Sequence, residues 1–245
     1  MGVRLWHRQL PWILKATPAA SLLSLAMNVA GNINITWSQP ITLTLQAGRA
    51  INLSPEAVII NTNAGATPFN AIVLQANQGA TATPGNYTGI TLNNARLQTG
   101  TGNITVTGTS GNGTNDNIGV FLDGANTRVS TTNGTINITG TSNGTGANNR
   151  GIVITNGAVV NATSTGNVTL TGTGGNGTRE NQGLLLRDLG TRVTTNNGNL
   201  TITGTGNGTA DRNFGMIFNG VVVDTTGTGN VTLTGTGGNC EFRKL

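Results

Sequence analysis

The chain has 245 residues, 9% of them charged and 38 of them glycine, against about 25% charged and about 7% glycine in an average soluble protein. Aromatics make up 4%, and the single cysteine, Cys240, excludes an intrachain disulfide or a metal site of paired thiolates. The net charge of +5 comes mostly from the termini; from Gly31 to Asn239 eight arginines face seven acids without a basic cluster, so no nucleic-acid partner is expected.

Residues 1–30 form a non-repeat segment. A basic start (Arg4, His7, Arg8, Lys15) precedes the mildly apolar run from Ala19 to Ala26, broken upstream by Pro11 and Pro18. This fits either a weak secretory signal or an unrelated start. No stretch reaches the roughly 18 apolar residues that a membrane span requires, so no transmembrane segment is expected.

Residues 31–100 carry degenerate strand patterns. Ile41-Thr-Leu-Thr-Leu-Gln-Ala-Gly48 and Ala50-Ile-Asn-Leu53 read as two strands around a glycine turn, followed by Ala71-Ile-Val-Leu74 and Gly89-Ile-Thr-Leu92.

Residues 101–236 repeat regularly. Gly102-Asn-Ile-Thr-Val-Thr-Gly-Thr109 recurs from Gly134, Gly166, Gly198 and Gly229, at spacings of 32, 32, 32 and 31. A second block, Asn-x-Gly followed by apolar residues, starts at Asn117, Asn149, Asn181 and Asn213, and a weaker third block holds Val129, Val160, Val193 and Val222. The blocks are rich in β-branched residues and bounded by Gly/Asn turns, and none has helical periodicity. Three strands per 32-residue repeat, one long loop of about ten residues after the first, and no helix predict an all-β, right-handed parallel β-helix whose coils stack at about 4.8 Å. Residues 237–245 leave the pattern and form a non-repeat tail, read as a truncation of a longer array.

Alternation in the first strand directs Ile104/Val106 and their equivalents inward. It leaves an outward threonine face of Thr105, Thr107, Thr139, Thr169, Thr171, Thr201, Thr203, Thr232 and Thr234, interrupted at Asn137. Asn117, Asn149, Asn181 and Asn213 are expected to form a structural ladder, as identical polar side chains do when stacked. In the second strand Phe121, Val153, Leu185 and Ile217 form the middle of three apolar columns. They present an outward contact stripe unless the preceding loop folds over them.

The pattern Leu-Thr-Leu-Gln-Ala-Gly-x-x-Ile from Leu43, followed by Gly-Asn-Val-Thr-Leu-Thr-Gly-Thr repeats, resembles the repeat regions of filamentous-haemagglutinin-type exoproteins of two-partner secretion systems. Similar strands recur in long cyanobacterial surface proteins. The resemblance spans about Gly31 to Gly238 and implies a secreted or cell-surface location and an adhesin-like role.

Catalytic chemistry has little to draw on. His7 is the only histidine and lies outside the repeat, which excludes a His-dependent triad or His-pair metal site in the body. Asp116 and Glu180 share a repeat position, but two coils apart, about 9.6 Å at the usual strand spacing. The Gly172–Gly177 run satisfies a dinucleotide-binding pattern without the helix that pattern needs. The expectation is a non-catalytic structural segment without cofactor or metal, which extends or presents surface. Its expected partners are a host or neighbouring-cell surface, carbohydrate, or another copy of itself. The alternative is a ligand-binding module, using the threonine face for ice or carbohydrate or the apolar stripe for a partner protein; a polysaccharide-active enzyme comes third.

Overall fold

A computed structural model of the chain describes residues 19–79 and 83–238. The basic N-terminal stretch with His7, and the tail from Asn239 with Cys240, lie outside the described residues. All regular structure among the described residues is β. In chain order the strands are β1 (Ala19–Val29), β2 (Asn34–Trp37), β3 (Thr42–Leu53), β4 (Val58–Asn61), β5 (Asn70–Ala76), β6 (Ile90–Asn93) and β7 (Arg96–Thr99). The regular coils follow: β8 (Asn103–Thr109), β9 (Ile118–Asp123) and β10 (Arg128–Thr131); β11 (Ile136–Thr141), β12 (Arg150–Thr155) and β13 (Val159–Ala162); β14 (Val168–Thr173), β15 (Leu184–Arg187) and β16 (Arg192–Thr195). β17 (Leu200–Thr205), β18 (Met216–Asn219), β19 (Val222–Thr225) and β20 (Val231–Thr236) complete the stack.

These strands make a parallel β-helix with three faces. The first runs β3-β5-β8-β11-β14-β17-β20, the second β3-β6-β9-β12-β15-β18, and the third β2-β4-β7-β10-β13-β16-β19. Every pairing is parallel, and six turns separate β2 from β19. β3 runs without a break across the corner between faces one and two: Leu43–Ala47 pair with β5 and Ile51–Leu53 with β6. Its two apolar blocks are therefore one bent strand, where the sequence pattern divides them at Gly48.

The stack also begins earlier than the expected boundary at residue 30. β1 pairs with β3 from Ala19↔Thr42 to Val29↔Leu53, and Met27 and Val29 are buried beneath it. An Ala/Ser/Leu-rich run serves as a strand as readily as it serves as the apolar part of a signal.

The core is a set of axial columns. Leu74, Val106, Ile138, Leu170 and Ile202 line face one, Leu92, Leu122, Ile154 and Leu186 face two, and Leu97, Val129, Val160 and Val193 face three, all at most 1% exposed. Full burial of such a side chain contributes about 1.5–3 kcal/mol, and stacking like on like at each level keeps the cross-section constant. In the last coil the partner of Val193 is Val223, not Val222. The β18–β19 turn is shorter than its counterpart between β15 and β16, so the chain slips and Val222 faces outward, 40% exposed.

Two glycine columns explain the most regular feature of the repeat. Gly140, at the end of face one, has its missing Cβ position 2.2 Å from the Gly151 carbonyl oxygen; Gly108 against Gly119 and Gly172 against Gly183 repeat the approach at 2.3 and 2.2 Å. The chain thus leaves face one and enters face two at a backbone-to-backbone pinch. The long loop is an excursion closed at its base.

Candidate functional site

The long loops stack as the coils do. At the end of each, one residue holds a left-handed backbone: Asp116 (φ 57°), Asn148 (φ 61°), Glu180 (φ 56°) and Arg212 (φ 61°). The next residue is always asparagine, at most 1% exposed. Asn149 Oδ1 accepts the backbone N–H of Asn117, Asn181 Oδ1 that of Asn149, and Asn213 Oδ1 that of Asn181, at 3.1, 3.2 and 2.9 Å. The amide of Asn149 in turn donates to the Thr114 carbonyl at 2.9 Å and that of Asn181 to Gly146 at 3.1 Å, tying each loop to the loop of the preceding coil. Both ends of these amides are engaged with protein.

The acids are distributed structurally too. Glu180 bridges Arg150 at 3.4 Å and Arg212 at 3.2 Å, not its sequence neighbour Arg179. Arg150 also donates to Gln182 at 2.7 Å and to Asn148 at 3.0 Å. Burial pushes the Arg150 guanidinium below its ordinary pKa, opposed by the Glu180 charge. Asp188 accepts from the Thr155 hydroxyl and the Asn156 N–H, which, led by the hydroxyl, lower its pKa below the ordinary value. Among the described residues no three His, Cys, Asp or Glu side chains group in a way that could hold a metal ion. No helix among them is long and apolar enough to cross a membrane.

The apolar column of face two is not an exposed stripe. Val153 is 4% exposed, and Phe121, Leu185 and Ile217 are half-buried. Side chains one strand spacing apart shield one another along the column, and the flanking positions carry long polar chains, Arg150 and Gln182 on one side and Arg187 on the other. The large apolar side chains left exposed cluster instead in the last coil, at Phe214, Phe218, Val231 and Leu233, with Leu189 alone at a turn.

The threonine face is wider than alternation in two columns implies. Thr105, Asn137, Thr169, Thr201 and Thr232 stand in one register and Thr107, Thr139, Thr171, Thr203 and Thr234 in the next. Thr109, Thr141, Thr173, Thr205 and Thr236 add a third column that the sequence reading left out of the face. Its threonines are half-buried up to β17 and exposed on β20. Thr109 accepts from Gln78 Nε2 at 3.2 Å; the other hydroxyls of the face make no hydrogen bond to the described residues. By contrast, inward threonines at the end of face three are all engaged: Thr99, Thr131, Thr195 and Thr225 donate to turn carbonyls at 2.5–3.0 Å.

A further group escapes the sequence reading because the third block aligns on its valines. The residue before each inward apolar residue of this face (Leu97, Val129, Val160 and Val193) points outward, and in three coils it is arginine: Arg96, Arg128 and Arg192. The spacing of 32 and 64 residues was the available signal.

The chain matches no family model, no curated protein and no solved structure.

Proposed function

We propose that the chain is a non-catalytic, extracellular β-helical segment whose task is to extend and present surface. One observation carries this reading: buried polar side chains hold one coil to the next, and among the described residues no side-chain nitrogen or oxygen atom that is itself closed off from solvent is left without a partner. A catalytic centre needs convergent polar groups with capacity to spare. Here the Asn column, the Glu180 bridge and the inward threonines have their bonds within the stack.

The test has two arms. Antibody against the repeat should label intact source cells, and protease added outside should remove the label; retention inside the cell overturns the location. Duplicating residues 134–165 three times should keep the β-sheet spectrum and lengthen the particle by about 14 Å in solution scattering. A stalk tolerates this, whereas loss of folding or of surface display overturns the spacer role.

The threonine face favours a second reading, a contact surface for ice or a crystalline carbohydrate. It offers hydroxyls without protein partners at about 4.8 Å between coils and about 6.7 Å along each strand. Thermal hysteresis, abolished by Thr171→Tyr, would carry the ice form; its absence removes it.

A further inference from the structure

Face three carries an uneven charge. Its seven strands hold Arg96, Arg128, Arg192 and a single acid, Asp224. Arg96 and Arg128 are direct cross-strand partners, so their backbones lie about 4.8 Å apart. Like charges in that relation destabilise a sheet. All three arginines are exposed, and none has an acid within salt-bridge distance among the described residues; the ion pairs engage Arg150, Arg187 and Arg212.

An open depression lies beside the pair. In the next outward column Ser130 stands between Gln98 and Asn161. The small serine between two longer side chains makes the floor, at 6% exposure, and its hydroxyl makes no hydrogen bond to the described residues. Arg128 leans toward Asn161 Oδ1 at 3.4 Å. The lining is polar throughout, without an aromatic or aliphatic residue.

We propose that this depression binds an acidic polysaccharide, holding a uronate carboxylate between Arg96 and Arg128 and the sugar hydroxyls on Gln98, Ser130 and Asn161. Guanidinium groups match a planar carboxylate through paired N–H donors. A ligand carboxylate would also relieve the repulsion between the two cations. Neutral amides and a hydroxyl complement sugar hydroxyls, and the open shape suits a chain lying along the solenoid better than an enclosed small molecule. Arg192, two coils beyond Arg128, meets a second anionic unit of the same chain. A nucleic acid would ask for stacking aromatics and a denser row of cations, which the lining lacks. The site is independent of whether the chain acts as a spacer.

The experiment titrates the full chain, at low and at physiological salt, with oligogalacturonate, a dextran oligomer of equal length, inorganic sulfate and a single-stranded oligonucleotide. Oligogalacturonate should bind, more weakly as salt rises, and dextran should not. Arg96→Gln and Arg128→Gln should each weaken binding roughly tenfold or more. Arg179→Gln makes the same charge change on an exposed long loop and should leave binding unaltered. Both face-three variants replace exposed side chains, so their unfolding midpoints should hold or rise, and lost binding then reports on the site. Absence of oligogalacturonate binding, an equal loss in Arg179→Gln, sulfate competing at equal concentration, or tighter binding of the oligonucleotide would each overturn the proposal.

Discussion

Asn117 gives two hydrogen bonds to one atom of Asn149: its side-chain amide reaches the Oδ1 at 2.9 Å and its backbone N–H reaches it at 3.1 Å. Asn149 passes its own backbone N–H to Asn181 Oδ1 at 3.2 Å. A substitution at one rung therefore strands groups on the preceding coil. Asn149→Ala leaves the Asn117 N–H and the Thr114 carbonyl without their partners, each a penalty of about 1–3 kcal/mol when buried. The expected loss is about 3 kcal/mol, measured by urea unfolding. Asn149→Asp keeps the acceptor but places a charge at a fully buried site, and should cost at least as much.

The pinch between Gly140 and Gly151 makes a sharper prediction. A methyl group at residue 140 would lie 2.2 Å from the Gly151 carbonyl oxygen, and backbone cannot swing aside as a side chain can. Gly140→Ala should cost on the order of 3 kcal/mol or more, in the range of severe overpacking. Thr139→Ala, one residue away but facing outward, should stay within about 1 kcal/mol. Equal effects from the two, in the same denaturation series, would discard the pinch as the reason for the glycine columns.

How much of this was legible in the sequence depends on what each residue type reports. The period of 32 and the alternation Ile104/Thr105/Val106 state the coil length and the inward side directly, since a strand has only two faces. Alternation cannot say how well an outward residue is covered. Phe121, Val153, Leu185 and Ile217 do point outward, yet Val153 is buried and the other three are half-buried, stacked one coil apart. The glycines were visible as columns, but their cause was not, because Gly108 and Gly119 meet only after a loop of eight residues has closed. Ala19–Val29 carries no copy of the repeat, so its place in the stack emerges only from its pairing with β3. Arg128 sits beside the first of the aligned valines and Arg96 beside Leu97, one coil before them, so their shared outward column emerges only from the strand pairing.

The Glu180 bridge spans three coils through Arg150 and Arg212 and is only partly screened, with Arg150 18% and Glu180 26% exposed at the side chain. Glu180→Gln leaves the half-buried Arg150 without its countercharge. The cost should fall between that of surface and buried pairs, about 1–2 kcal/mol. Arg212 is 69% exposed, and Arg212→Ala should change stability by less than about 0.5 kcal/mol. Thermal unfolding of the two variants checks the ordering.

Asp188 makes the stability of the stack depend on acid. Its folded pKa lies below the ordinary value, first because the Thr155 hydroxyl donates to the carboxylate and then through the Asn156 N–H. A depressed carboxylate contributes stability above its unfolded pKa, about 3.9, and loses it as pH falls through the folded value. Asparagine holds the left-handed backbone at the equivalent position, residue 156 (φ 55°), so Asp188→Asn introduces no backbone strain. The variant should unfold earlier than the parent at neutral pH, and the gap should close below the usual carboxylate range. Midpoints recorded across a pH series decide it, and a constant gap would remove Asp188 from the acid response.

The last prediction concerns the unit of the fold. Ile136 pairs with Ile104 on one side and with Val168 on the other, and the whole of β11 keeps one register with both β8 and β14. β12 and β13 are likewise flanked by strands of their own blocks. Deleting residues 134–165 would bring Ile104 opposite Val168, Val106 opposite Leu170 and Asn117 opposite Asn181, like on like at every level. In a solenoid, stability is close to a sum of coil terms and nearest-neighbour interfaces, so the shortened chain should lose one coil and one interface and keep the rest. It should retain its β-sheet spectrum and a single unfolding transition at a lower midpoint. Deleting sixteen residues from Gly134 instead would set face-two strands against face one, placing Val153 beside Thr105 and Asn156 beside Gly108 in the register and taking the glycine columns out of line. That variant should fail to fold, and the contrast between the two deletions separates a true 32-residue coil from a merely repetitive sequence.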